Sequence, residues 1–125
     1  MKSNDILNWK ANKRMKALGV DKAAEEAFER EKKAGCARVG INTFVTENWL
    51  YYDSGLTSGL FPLKEVVSFQ KGYTSTMREW TVYFHVRLFF KDGGNHKIPC
   101  DFEDLDDIAA VLGAKGIRAK RAQPG

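Results

Sequence analysis

The chain has 125 residues, of which 43% are hydrophobic, and its 20 Lys and Arg against 16 Asp and Glu give a net charge of +4. The hydrophobic content excludes a chain that is disordered throughout, and the length fits one core of the usual domain size. The charge excess is too small to indicate a dedicated nucleic-acid-binding protein.

The sequence predicts neither a membrane-spanning helix nor a secretory signal. No apolar run approaches the roughly 18 residues that cross a bilayer as a helix. The first residues are basic but lack the apolar segment of a secretory signal, so we expect a cytoplasmic location. The two cysteines, Cys36 and Cys100, are too few for a disulfide framework, and we expect both to be reduced.

The first 35 residues predict a helical arm. Gly19 ends a helix of about residues 5–18, and Asp21 caps a second helix of about residues 22–34. The second helix has a thin apolar stripe formed by two alanines and Phe28. We therefore expect this helix to lie on the surface or against a partner chain.

After Gly35 the apolar residues recur with the period of strands. Residues 37–46 predict one strand, Thr46–Asn48 a tight turn, and residue 49 the start of a second strand. Further strands follow a Gly- and Ser-rich turn at 53–59, and residues 72–79 predict a polar loop.

Residues 80–91 predict the clearest strand, because six apolar residues alternate along one face of it. They are Trp80, Val82, Phe84, Val86, Leu88 and Phe90. Tyr83 and Phe89 lie on the opposite face. A hairpin turn at 92–95 leads to a shorter strand at 96–100.

The chain then predicts a closing helix, whose apolar residues Phe102, Leu105, Ile108 and Leu112 cover the core face of the sheet. The fold class is therefore α+β. We expect a strongly twisted antiparallel sheet, or a partly open barrel, of about six or seven strands closed by this one helix. Residues 115–125 predict a basic, frayed tail.

This layout resembles the pleckstrin-homology-like and GRAM-like domains of the bacterial type over residues 37–114. The resemblance rests on TENWLYYDSG, on GLFPLKEVVSFQKG, and on VYFHVRLFFKDGGNHKIPC followed by a helix. The residues that follow the family's rhythm are Thr46, Trp49, Leu50, Pro62, Leu63, Glu65, Val66 and Val67. The resemblance leaves the N-terminal helices unexplained. Together with the residue patterns it divides the chain into a helical arm at 1–35, a β-rich domain with its closing helix at 36–114 and a basic tail at 115–125.

The same resemblance bears on function. The family is known for binding phosphoinositide headgroups through basic residues beside the first hairpin turn. Here that turn is taken as Thr46–Asn48, which carries the acidic Glu47. The resemblance therefore implies a scaffold for protein contacts or oligomerisation rather than for lipid.

We expect no catalytic, cofactor-binding or metal-binding residues. Cys36, Cys100, His85 and His96 show no CxxC or HxxxH spacing, and no GxSxG nucleophile motif occurs. The carboxylates crowded at 101–107 are typical of a helix's first turn. These absences favour a protein that is not an enzyme.

The favoured hypothesis is a non-enzymatic interaction or oligomerisation module, which uses Tyr83 and Phe89 on the second face of the predicted strand. Its partner is another protein or a second copy of the chain. The alternative is a weak binder of nucleic acid or of an anionic membrane surface, through the N-terminal helix and the C-terminal tail. The residues for that alternative are Trp9, Lys10, Lys13, Arg14, Arg118, Lys120 and Arg121.

Overall fold

The computed structural model describes residues 8–40, 42–76 and 81–124, with the backbone alone described for Thr76 and for 122–124. Within these residues it contains three helices and eight strands. They are α1 (Trp9–Ala17), α2 (Lys22–Ala34), β1 (Ala37–Val39), β2 (Thr43–Val45), β3 (Trp49–Asp53), β4 (Ser58–Pro62), β5 (Val66–Thr76), β6 (Thr81–Phe90), β7 (Asn95–Cys100), α3 (Leu105–Ala114) and β8 (Arg118–Pro124). Short 3₁₀ turns precede β5 and α3.

The chain divides into two compact units, Met1–Glu65 and Val66–Gly125. The first contains α1, α2 and an antiparallel sheet in the order β1-β2-β3-β4. The second contains α3 and a mixed sheet in the order β7-β6-β5-β8. The α+β class is confirmed. The expected single sheet or barrel of six or seven strands is wrong, because the described strands form two four-stranded sheets and neither closes on itself.

The helices of the first unit begin and end where their capping residues predict. Gly19 follows α1 with a φ of +74°, a conformation that favours glycine. The carboxylate of Asp21 accepts a hydrogen bond from the Ala24 amide at 3.0 Å. Residues 5–7 of the predicted first helix lie outside the described part of the chain.

Helix α2 packs on the first sheet, contrary to the expectation that it lies on the surface or on a partner. Phe28 is buried, and its ring centroid lies 5.3 Å from that of Tyr51. The Glu31 carboxylate accepts hydrogen bonds from the Thr46 hydroxyl (2.8 Å) and from the amide (2.9 Å) and side chain (2.8 Å) of Asn48. One aromatic ring and one carboxylate therefore dock a helix whose apolar stripe is thin.

Helix α1 packs on β4 through a buried polar contact. The Asn8 side chain is fully buried, and its Oδ1 accepts a hydrogen bond from the Ser58 amide at 2.8 Å. The thioether of Met15 lies 3.4 Å from the Leu60 amide nitrogen. Ala11, which lies between Asn8 and Met15 in the sequence, is also buried. The face of α1 that carries Asn8, Ala11 and Met15 is therefore its core face.

Residues 37–46 form two strands rather than the single predicted strand. Val39 pairs with Thr43, and Gly40 turns the chain with a φ of +62°. Ile41, which the alternation placed on the strand, lies outside the described residues. Thr46–Asn48 is a tight turn, as predicted, with the Thr46 amide donating to the Trp49 carbonyl at 2.9 Å. It joins β2 to β3, so among the described strands it is the second hairpin turn and not, as predicted, the first.

Ser58 and Gly59 belong to β4 and not to the predicted turn. Both are buried and pair with Asp53 and Tyr52 of β3. A Cβ at Gly59 would lie 2.8–2.9 Å from ring atoms of Phe61 and Tyr52. Glycine is therefore required at position 59, because the two aromatic rings occupy the space of a side chain. The sequence pattern predicted a turn here and gave no sign of this packing.

The second sheet is organised by the long hairpin of β5 and β6. The two strands pair from Val66 with Phe90 to Thr76 with Thr81, so β5 continues into the predicted polar loop. The turn after Phe90 contains Gly93 with a φ of +87°, and β7 follows as predicted. Val86, Leu88 and Phe90 are buried, which confirms the predicted core face for that half of the strand, while Trp80 lies outside the described residues.

Helix α3 contacts β5, β6 and β8. Ile108 and Leu112 are fully buried, and Leu105 is half-buried. Phe102 precedes the helix and is mostly exposed, although its ring centroid lies 5.1 Å from that of Phe84. The predicted docking of the helix is thus confirmed for Ile108 and Leu112, and Phe102 is at the margin of the core.

The predicted frayed tail is wrong from Arg118 onward, because Arg118–Pro124 forms β8 at the edge of the second sheet. It runs parallel to β5, with Arg118 opposite Ser68. Gly116 ends the loop after α3 with a φ of +82°. The sequence RAKRA has no apolar face, and an edge strand needs none, because backbone hydrogen bonds hold it and cationic side chains are typical of sheet edges.

Truncation of the buried helix face should destabilise the second unit. We expect Ile108→Ala to lower the free energy of unfolding by about 2–5 kcal/mol, since it opens a cavity in the core. Asp107→Ala on the exposed face of the same helix should change it by less than about 1 kcal/mol. Urea unfolding followed by circular dichroism measures both, and equal effects would show that α3 is not docked.

Removal of the Glu31 carboxylate should loosen α2. Glu31→Ala deletes three hydrogen bonds to a charged acceptor, and we expect a loss of about 1.5–3 kcal/mol in the free energy of unfolding. Glu29→Ala on the exposed side of the same helix is the matched control. A silent Glu31→Ala variant would contradict the docking role of this carboxylate.

Candidate binding surface

One face of the second sheet collects cationic and aromatic side chains. The Lys71 ammonium lies 2.8 Å from the Asp106 carboxylate of α3, which places Lys71 and its partner Val86 on the helix side of the sheet. Side chains alternate along a strand, so Gln70 and its partner Arg87 point to the other side. By the same register, the residues on that side, here called the cationic face, are Gln70, Tyr83, His85, Arg87, Phe89, Lys97, Arg118 and Lys120.

In the second unit, positive and negative side chains lie on different parts of the structure. The strands β5 to β8 contain six Lys and Arg and no Asp or Glu. Carboxylates concentrate instead on the segment 101–107 at the start of α3. The potential outside the cationic face is therefore positive although the whole chain carries only a small net charge.

Three side-chain contacts order the cationic face. The Lys120 ammonium lies 3.8 Å from the Phe89 ring centroid, a cation–π contact between β8 and β6. The Arg87 guanidinium donates to the Asn95 side chain, and the Gln70 amide donates to the Arg121 carbonyl at 2.7 Å. These contacts involve all four strands, and two of them hold the charged groups of Lys120 and Arg87 at defined positions.

The edge of the cationic face is concave. An open groove of about 440 Å³ runs along β5 and β8 and is lined by Val67, Ser68, Arg118, Ala119, Lys120 and Arg121. Three of these six residues are cationic and exposed. Farther along the sheet, the Tyr83 side chain is 54% exposed. The surface thus combines cations with an accessible aromatic ring.

His85 lies on the cationic face and is buried among its neighbours. Burial lowers the pKa of its imidazole, and the nearby Lys97 and Arg87 lower it further. The imidazole is therefore neutral at pH 7.

The structure does not assemble a thiolate pair from Cys100 and His85. Cys100 pairs with Phe84 and points to the helix side, while His85 pairs with Pro99 and points to the cationic face. His96 shares the side of Cys100 but is four residues away along β7, about 13 Å. Burial raises the pKa of the Cys100 thiol to about 12, and Asp104 and Asp101 raise it as well.

In the part of the chain that the structure describes, no group of three or more His, Cys, Asp or Glu residues is arranged so that it could hold a metal ion. Among the same residues, no helix has both the length and the apolar character to cross a membrane.

Five of the nine predicted interaction residues come together. Tyr83, Phe89, Arg118 and Lys120 lie on the cationic face, and Arg121 lines its groove. Trp9, Lys10, Lys13 and Arg14 belong to α1 in the first unit, where the Lys10 ammonium lies 5.7 Å from the exposed Trp9 ring.

Two cations of the face were missed by the sequence reasoning. Arg87 alternates with Tyr83 and Phe89 on one strand, so its spacing could have identified it. Lys97 is found only from the register of β7 against β6.

The thiol chemistry can be checked directly. Because its pKa is raised to about 12, Cys100 should remain a thiol at pH 8 and react slowly with iodoacetamide. Cys36 is exposed and should be labelled first. Mass spectrometry should therefore find one label on the native chain and two in urea, and equally fast labelling of Cys100 in the native chain would contradict this environment.

Comparison with known proteins assigns no function to the surface. No protein-family model matches the chain, and no curated protein matches it. The interpretation therefore rests on the residues and their geometry.

Proposed function

We propose that the protein is a non-catalytic interaction module that associates with a second copy of itself. The observation that supports this is an exposed apolar patch at the far end of the β5–β6 hairpin, here called the hairpin patch. Tyr73, Val82 and Phe102 are 42%, 46% and 67% exposed, and Phe84 lies among them.

The hairpin patch is contiguous. Tyr73 and Phe84 are opposite each other on β5 and β6, and Val82 lies two residues before Phe84 on the same side of β6. The Phe102 ring contacts that of Phe84. Single exposed apolar residues are ordinary on a protein surface, whereas a contiguous group marks a contact site. Removing an apolar side chain of this size from water contributes about 1.5–3 kcal/mol.

A second copy is the partner that the charges favour. In a symmetric dimer the same patch meets itself, so the patch must be complementary to its own copy. The hairpin patch contains no ionisable group except the Tyr73 hydroxyl, and it can meet its copy without repulsion. The cationic face could not, because like charges would be brought together.

A finer fold assignment is part of the same proposal. Four antiparallel strands, then three antiparallel strands, then one helix is the element order expected of a pleckstrin-homology-like domain. Strand β8 is an addition to that order. We propose that the chain belongs to this architecture, which implies a scaffold for protein contacts.

Apolar-to-polar substitution in the hairpin patch should weaken self-association. We expect wild-type protein to sediment as a dimer at high concentration, and the double variant Val82→Ser, Phe102→Ser to raise the dissociation constant about tenfold or more. Analytical ultracentrifugation over a concentration series measures this.

Leu56→Ser is the matched control, because Leu56 is 68% exposed and lies in the first unit. A wild-type chain that remains monomeric at every concentration would overturn the proposal. So would a Leu56→Ser variant that weakens association as much as the patch variant.

A further inference from the structure

We infer that the cationic face binds single-stranded nucleic acid. This goes beyond self-association and uses a separate set of residues, because the hairpin patch lies on the helix side of the second sheet. The inference rests on three features of the described residues: the cations, the aromatic rings and the shape of the groove.

The cations lie in two pairs on the same face of the sheet, one on β8 and one on β6 and β7, with β5 between them. Arg118 and Lys120 alternate on β8 and are about 6.6 Å apart along the strand. Arg87 and Lys97 are directly opposite each other on β6 and β7. A row of cations across a sheet can follow an anionic backbone, whereas a compact anion would need them to converge on one point.

The aromatic rings distinguish this face from a surface that is merely basic. Tyr83 is exposed, and the Lys120 ammonium lies over the ring of the half-buried Phe89, where a base could take its place. Bases stack on such rings in sheet-based modules that bind single strands. Bases of a duplex are already stacked and paired, so the duplex offers its phosphates but not the faces of its bases.

The groove gives a nucleic-acid strand a place to lie. It runs between β5 and β8, and its exposed cations Arg118, Lys120 and Arg121 border it. Of the described carboxylates of the unit, five lie at 101–107, at the start of α3, which contacts the other side of the sheet, and Asp92 lies in the β6–β7 turn. A polyanion is therefore attracted to one face and repelled from the other.

Fluorescence anisotropy with a labelled oligothymidylate of about 12 nucleotides tests the inference. Wild-type affinity should fall with salt, with a slope of log K against log salt of about −0.7 for each phosphate contact. The double variant Arg118→Gln, Lys120→Gln should flatten that slope by about 1.4, and Lys97→Gln alone by about 0.7. Tyr83→Ser should weaken binding roughly five- to hundredfold and leave the slope unchanged.

The control is the double variant Lys22→Gln, Lys33→Gln, which removes the same charge from exposed positions of α2. It should leave affinity and slope unchanged. An equal loss in the control would overturn the inference, because it would show attraction to net charge alone. Absence of binding at about 50 mM salt would overturn it as well.

A third arm uses vesicles that contain anionic lipid. Binding to vesicles through Arg118 and Lys120 without binding to the oligonucleotide would overturn the inference in favour of a membrane surface. The inference and the proposed function can fail separately. The double variant Val82→Ser, Phe102→Ser should weaken self-association in sedimentation and leave oligonucleotide binding unchanged.

Discussion

The antiparallel pairing of β5 with β6 is the interaction on which the second unit depends. Ten paired positions place Val86 and Leu88 on one side of the sheet and Arg87 and Phe89 on the other. A shift of one residue would exchange the two sets, burying an arginine against α3 and exposing the core residues. The register therefore determines both the stability of the core and the composition of the cationic face.

Electrostatics and packing act together on this sheet. The helix side carries the buried apolar residues and the ion pair of Lys71 with Asp106, whereas the opposite side carries cations without carboxylates. Crowded cations repel one another, and the Lys120–Phe89 and Arg87–Asn95 contacts give two of them a specific partner. Such a surface has a positive potential, which attracts an anionic ligand.

The first unit is organised differently, because polar contacts dock its two helices. Asn8 satisfies the Ser58 amide inside the core, and Glu31 gathers the donors of the Thr46–Asn48 turn. A buried polar group must be paired, so the Asn8 contact defines the position of α1 on the sheet more narrowly than apolar burial would. The Glu31 hydrogen bonds are less buried, and they fix α2 through three donors on one turn. Neither contact could be predicted from the sequence, since Asn8 and Ser58 are 50 residues apart.

Local patterns in the sequence determined the α+β class, the two N-terminal helices, the turn at Thr46–Asn48, the β6–β7 hairpin and the apolar face of α3. Each depends on neighbouring residues: Asp21 as a cap, Gly93 in a turn, the alternation along β6. Tertiary structure alone decided that the strands form two sheets, that α2 is docked, and that the basic tail is β8. The cationic face depends on the last of these, because Arg118 and Lys120 reach the aromatic side of β6 only through backbone pairing with β5, and backbone hydrogen bonds leave no signature in the side-chain pattern.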